Sequence, residues 1–502
     1  MCCKTAIQAW KDACKLQHLP YLLSPMSTHT FLWHDYETFG VQPRRDRPAQ
    51  FAAIRTDAEL NEIGEPIMLY CQPANDFLPD PQSCLITGIT PQHCLQHGIP
   101  EHQFAARIEK AFSEPGTIGV GYNTIRFDDE VTRFLFWRNL IDPYAREWQN
   151  QCGRWDILDV VRTAYALRPD GIQWPINDEG RPSFRLELLT KANGLSHEAA
   201  HDALSDVRAT IALARLIRQH QPKLFDFCLA LHKKDRAGAE IGLPTPRPFL
   251  HISGMFPAEH GCLAVMWPLG VHPTNKNEIL AWDLAYDPSE LFALDADTVR
   301  TRLFSKSADL PEGVTRLPLK SVHLNKSPMV INKLQTLSAD MAAHWGIDIP
   351  QALKHAEIAA QAPDLSGLWR QVFQRSDEGA SDVDEDLYGG FVGNNDRRKL
   401  NELRAMTPQK LAAAHISFDD QRLEELTFRY RARNFPDTLA PADQERWEEH
   451  RAARLFDGEG KARTVDMLFE EIDNLSESAD ERGEEILGTL YEYAEMIAPA
   501  RA

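Results

Sequence analysis

The sequence lacks any Cys-x-x-Cys pair, and its nine cysteines in 502 residues follow no regular spacing. That pattern excludes a zinc ribbon or a disulfide framework and fits a reducing, cytoplasmic setting. It also has no uncharged apolar run near the ~18 residues that a membrane span requires, so no membrane association is expected. Lys4, Lys11, Asp12 and Lys15 break up the apolar core that an export signal would need. Positive charge is scarce as well: 54 Lys and Arg face 73 Asp and Glu, giving a formal charge of −19.

That deficit is uneven. From 457 to 502, thirteen acidic residues stand against four basic ones, so the last tenth of the chain holds about half of the excess. An acidic exterior around a local basic groove limits nonspecific binding to duplex nucleic acid, so the sign of the total does not exclude a single-strand ligand.

The length predicts roughly three domains of a mixed α/β protein. Residues 1–28 are expected to be an N-terminal extension without fixed structure, and Met26 is a candidate start for the folded chain. Residues 29–222 begin with strand-like runs at 31–33, 51–56 and 67–71. They continue as alternating strand and helix patterns, with helices expected near 104–112, 128–139, 157–167, 184–192 and 203–219. Short apolar runs broken by Pro, Gly and Asn make 223–375 a β-rich, barrel-containing domain. Six acids with little apolar matter mark 376–386 as a linker, and 387–502 reads as helical.

Chemistry is concentrated in four acidic residues and one histidine. Asp35 and Glu37 follow the apolar run of the first strand, and side chains two apart leave the same face of a strand. Two carboxylates so placed suit a hard cation such as Mg²⁺ or Mn²⁺, and two such ions can act on a phosphodiester. Asp128, Asp129 and Glu130 all stand where a strand gives way to a helix start, and any of them has the position to reach the sheet. Asp206 lies one turn into another helix. His201 serves the same site only if it precedes that helix, with Asp202 as the cap, because five helical positions would turn it away. An imidazole near its ordinary pKa of about 6.5 suits a general base for water.

The segments 34–40, 46–57, 85–91, 121–128, 182–187, 251–256 and 430–436 together resemble the DEDDh exonucleases of the ribonuclease H-like superfamily, and more narrowly the bacterial exodeoxyribonuclease I family. The resemblance runs from about Thr30 onward. It implies a ribonuclease H-like exonuclease domain (29–222), an Src-homology-like β-barrel domain (223–375) and a C-terminal helical domain (387–502), forming a C-shaped body. It also implies Mg²⁺-dependent 3′-to-5′ release of 5′-mononucleotides from single-stranded DNA in repair and recombination. The Asn-x-x-x-Phe-Asp spacing selects Asp128 as the third carboxylate. On this resemblance Asp35, Glu37, Asp128 and Asp206 hold two Mg²⁺ ions, with Mn²⁺ as a substitute. His201 is the catalytic base, Glu37 is counted with it as catalytic, and Arg185 binds substrate.

Single strands are held by stacking and by cations along the backbone. Arg133 and Trp137, four apart on one helix face, are candidate contacts, as are nearby Tyr144, Trp148 and Arg162. Asn277, Lys320 and His323 resemble more distal contacts in the barrel. The 430–435 segment is either a strand contact or an interdomain brace. The resemblance also implies docking of the acidic, Phe-ending tail of single-strand-binding protein, for which Arg168 and Phe227 are the candidates, a carboxylate meeting Arg and a ring meeting an apolar wall. One copy can enclose a strand, so a monomer is expected. A 3′-to-5′ RNA exonuclease using the same site is the alternative, with the 2′-hydroxyl as the distinguishing atom.

Overall fold

The computed structural model describes residues 29–197, 202–374 and 382–500. The extension 1–28, His201 and residues 376–381 of the expected linker lie outside the described residues.

The first domain is built on a six-stranded sheet. Strands β1 (Thr30–Thr38), β2 (Pro48–Thr56) and β3 (Ile67–Gln72) form an antiparallel meander. The two-residue β4 (Ile99–Pro100) pairs with β3 at one edge, while β5 (Thr117–Gly121) and β6 (Gly153–Asp156) run parallel to β1 on its other side. The order across the sheet is β4-β3-β2-β1-β5-β6. Phe31, Leu32 and Trp33 are at most 1% exposed, so the apolar start of β1 is the centre of the sheet. Strand β6 is not evident from the sequence, since Arg154 and Asp156 read as solvent-facing. Both are buried, and each is matched by partners that only the fold supplies.

The second domain is an antiparallel five-stranded sheet. Its strands are β7 (Phe249–Ile252), β8 (Leu263–Val271), β9 (Glu278–Asp283), β10 (Leu319–His323) and β11 (Met329–Ile331), in the order β10-β9-β8-β7-β11. Its apolar face shares one continuous core with Phe31 and Trp155 of the first domain. Burying a common core fixes the two domains against each other.

The C-terminal region is helical, from Asn394–Arg404 to Glu481–Ile497. Two apolar clusters anchor it to the first domain, one joining Phe39, Phe77 and Cys84 to Leu468 and Tyr493, the other joining Phe134 and Trp137 to Leu400 and Leu423. The described part of the expected linker, 382–386, is not a loose connector. Asp382 pairs with Arg429 and Arg454, and Asp384 with Arg47, Arg429 and Arg433. Asp382 and Asp384 are a buried counter-charge, because arginines distant in sequence converge on them. Arg433 also pairs with Asp76 of the first domain, so the 430–435 segment acts as the interdomain brace.

Candidate metal centre

The acidic residues meet at the end of β1. Asp35 and Glu37 stand opposite Ala52 and Gln50 of β2. Between them, the Tyr36 backbone N–H donates to Asp128 Oδ1 at 3.0 Å, which hangs the start of the helix Asp128–Arg138 on the strand. The Gln50 side chain accepts from the Ala203 N–H at 3.3 Å and so brings in the helix Ala203–His220. Asp202 caps that helix as expected, its side chain accepting from the Ser205 N–H. One carboxylate oxygen each from Asp35, Glu37 and Asp206 lies within 4.8 Å of the others.

The loop before Asp128 is fixed from β6. Asp156 accepts the N–H groups of Asn123 and Ile125 at 2.9 and 3.1 Å, while Asn123 takes a left-handed φ of 66° that asparagine tolerates. Asp129, the neighbouring candidate, is engaged elsewhere by Arg146 and Arg154 at 2.5 and 2.9 Å. Asp128 instead lies against Tyr36 of the strand, beside the group formed by Asp35, Glu37 and Asp206 and outside its 4.8 Å span.

Burial, and then the charges of Asp128, Glu37 and Asp206, holds the Asp35 carboxyl well above the ordinary range. Glu37 is pushed up to about 8 by burial and then by Asp206 and Asp128. Burial and then Asp129 raise Asp128 in the same direction. The charges acting most strongly on Asp35 and Glu37 are all negative, so the pocket is electrostatically unfavourable by itself. Hard oxygen donors under mutual repulsion fit a divalent cation.

His197, which sequence reasoning passed over, lies with Nε2 2.5 Å from Asp206 Oδ1, while its Nδ1 lies 3.2 Å from Thr190 Oγ1. Its only sequence signal is a position four residues before His201.

Two cavities lie where the nuclease domain meets the barrel. One of about 1360 Å³ is lined by Trp148, Asn277, Asn325 and Arg154. The other, about 1000 Å³, is lined by Ile125 and Arg126 of the loop before Asp128 and by Lys320, His323 and Lys326 of the barrel. Trp148 is 64% exposed, so its ring is open to solvent at the cavity wall. Asn277, Lys320 and His323 are thus brought to the walls of these cavities.

Other candidates are placed differently. Arg133 is 4% exposed and held by Glu130 and Glu147, while the indole N–H of buried Trp137 donates to the Val383 carbonyl. Their shared helix face packs on the helical region, so neither is free for a strand. Tyr144 lies under the Arg133 guanidinium at 5.3 Å. Arg162 is paired with Asp159 of its own helix, and exposed Arg185 with Glu187. Arg168 is exposed and donates to the Thr336 carbonyl. Phe227 is half-buried, with Arg236 over its ring at 5.9 Å.

A model for exonucleases matches residues 32–214, one for the exonuclease I SH3-like domain residues 232–375, and one for the exonuclease I C-terminal domain residues 381–497. Exodeoxyribonuclease I of Escherichia coli (strain K12) is 47% identical over 473 residues, covering 93% of this chain and 98% of that protein. The crystal structure of E. coli exonuclease I in complex with a dA16 oligonucleotide is 46% identical, with a TM-score of 0.87 over 93% of this chain and 100% of that one. An ExoI/SSB-Ct complex is 45% identical, with a TM-score of 0.87 over 94% of this chain and 100% of that one. With its exonuclease domain, SH3-like domain, helical C-terminal region and acidic cluster, the chain belongs to the exodeoxyribonuclease I family.

Proposed function

We propose that this chain is a 3′-to-5′ exodeoxyribonuclease that hydrolyses single-stranded DNA from its 3′ end and releases 5′-mononucleotides, in repair and recombination. The observation that carries the reading is the convergence of Asp35, Glu37 and Asp206 within 4.8 Å, with Asp128 hung on the strand between the first two. These four carboxylates would hold two Mg²⁺ ions, or Mn²⁺ in their place, supplying a polarised water and charge neutralisation at the leaving oxygen. His201 directly precedes the helix cap Asp202 in sequence and takes the proton from the attacking water, while Glu37 serves as ligand and catalytic group.

The strand is held along the two cavities, with a base stacked on Trp148 and polar or cationic contacts from Asn277, Lys320 and His323. Arg185 grips the scissile end, and Tyr144 and Arg162 lie beside the path. The relative solved as an ExoI/SSB-Ct complex supports a second partner, the C-terminal tail of single-strand-binding protein, met here by Arg168 and Phe227. The enzyme works as a cytoplasmic monomer. Among the described residues no helix is long and apolar enough to cross a membrane.

Matched DNA and RNA oligomers with Mg²⁺ test the reading. Loss of the DNA from its 3′ end, with the RNA spared, is expected. RNA loss as fast as DNA loss would replace it with an RNA exonuclease.

A further inference from the structure

Arg154 of β6 is a point at which the barrel touches the seat of Asp128. Its side chain is 4% exposed. Nη1 donates to Asp129 Oδ2 at 2.9 Å, and Nη2 donates to the Asn325 carbonyl at 2.9 Å while lying 3.3 Å from Glu147 Oε2. The Arg154 carbonyl in turn accepts from buried Ser327 Oγ at 2.8 Å. The barrel loop 323–327 is therefore fastened to one residue of the nuclease sheet by both a side chain and a backbone group.

The same strand holds Asp128 from both sides. Asp156 grips the loop before it, and Arg154 grips Asp129 just after it. The loop 323–327 also separates the two cavities, with Asn325 on the wall of one and His323 and Lys326 on the wall of the other. A strand spanning both cavities would lie across this loop.

We infer that Arg154 is a positioning residue that ties the seat of Asp128 to the barrel loop 323–327, so that a strand long enough to load the loop speeds the chemical step. The inference rests on the function proposed above. A ligand moves such an equilibrium only through a difference in its interaction with the two arrangements. Here that difference lies in the Asn325 carbonyl. When the loop is fixed, Nη2 stays on Asn325 and Nη1 stays on Asp129. When the loop is loose, Arg154 loses its hold on the Asn325 carbonyl and its grip on Asp129 slackens, leaving Asp129 to Arg146 and the first turn of the Asp128 helix less firmly seated.

The test is turnover of DNA oligomers from about four to about sixteen nucleotides by the parent, Arg154→Lys and Ser327→Ala. Ser327→Ala removes one neutral hydroxyl and keeps the test intact should the arginine variant not fold. In the parent, kcat rises with length by about tenfold, within the range of ordinary coupling between sites. In both variants that rise is flattened while KM still falls with length. A purely architectural residue would instead lower kcat equally at all lengths. Mn²⁺ affinity measured with non-hydrolysable strands of the same lengths shows the same split without turnover. Variants that keep the parent's rise, or a parent whose kcat ignores length, overturn the inference. A parent that degrades no strand of any length defeats the proposed function, and the inference falls with it.

Discussion

Arg433 and Asp76 are 357 residues apart in the chain, yet a guanidinium nitrogen of one lies 2.7 Å from a carboxylate oxygen of the other. Their side chains are 5% and 0% exposed, so the pair is sealed between the first domain and the helical region. Asp384 completes the arrangement by accepting from the same guanidinium.

Breaking this brace takes the nearest cation from buried Asp76, whose other basic neighbours, His450 and Arg454, lie 3.8 and 3.9 Å away. Arg433→Met is expected to lower the unfolding free energy by about 3–5 kcal/mol, as is usual for a buried pair that loses one partner. Denaturant unfolding reads this directly, and a change under about 1 kcal/mol would show that the brace contributes no more than a surface pair.

Asp35→Ala is expected to abolish turnover while single-strand binding in metal-free buffer persists. The carboxylate is needed for cation binding, whereas the strand is held along the cavities. Wild-type turnover in this variant would remove Asp35 from the metal centre.

Cation binding at this centre should be coupled to protons. Glu37, raised to about 8, must release its proton to ligate a cation. Mn²⁺ affinity should therefore climb as the pH rises toward about 8 and level off above it. The sign for stability runs the other way in chelator. A carboxyl raised in the folded state contributes stability that is present below its unfolded value of about 4 and lost as the pH rises through the folded value. Thermal melts in chelator should decline over that window, and Mn²⁺ should restore the loss most at its alkaline end. Mn²⁺ stabilisation equal at both ends would contradict the crowding of these carboxylates.

His201→Ala is expected to cost a hundredfold or more in rate, about what a positioned base supplies, with strand affinity little changed. Turnover by this variant at the parent's rate across roughly pH 6–9, where an imidazole base titrates, would exclude His201 as the base.

Much of this molecule is local and readable without coordinates. The apolar run 31–33 leading into Asp35 and Glu37 announces a strand that ends in carboxylates, since period-two alternation is a property of the backbone. Asp202 as a cap and the helix beginning at Asp128 are legible for the same reason. The selection of Asp128 over Asp129 rests on resemblance in the sequence, and its cause is visible only in the fold, where Arg146 and Arg154 hold Asp129.

What the sequence determined by itself was the set of elements and the residues with chemistry to offer, because propensity, capping and alternation act over a few neighbours. Tertiary structure decided which charged groups remain available. Arg133 has the sequence setting of a strand contact and is consumed by Glu130 and Glu147, and Asp382 and Asp384 stand in a stretch with the composition of a solvated tether and are the buried partners of Arg429, Arg433 and Arg454. The cause is common to both: the state of a buried charge is set by its nearest opposite charge, and that neighbour is chosen by the fold rather than by sequence proximity.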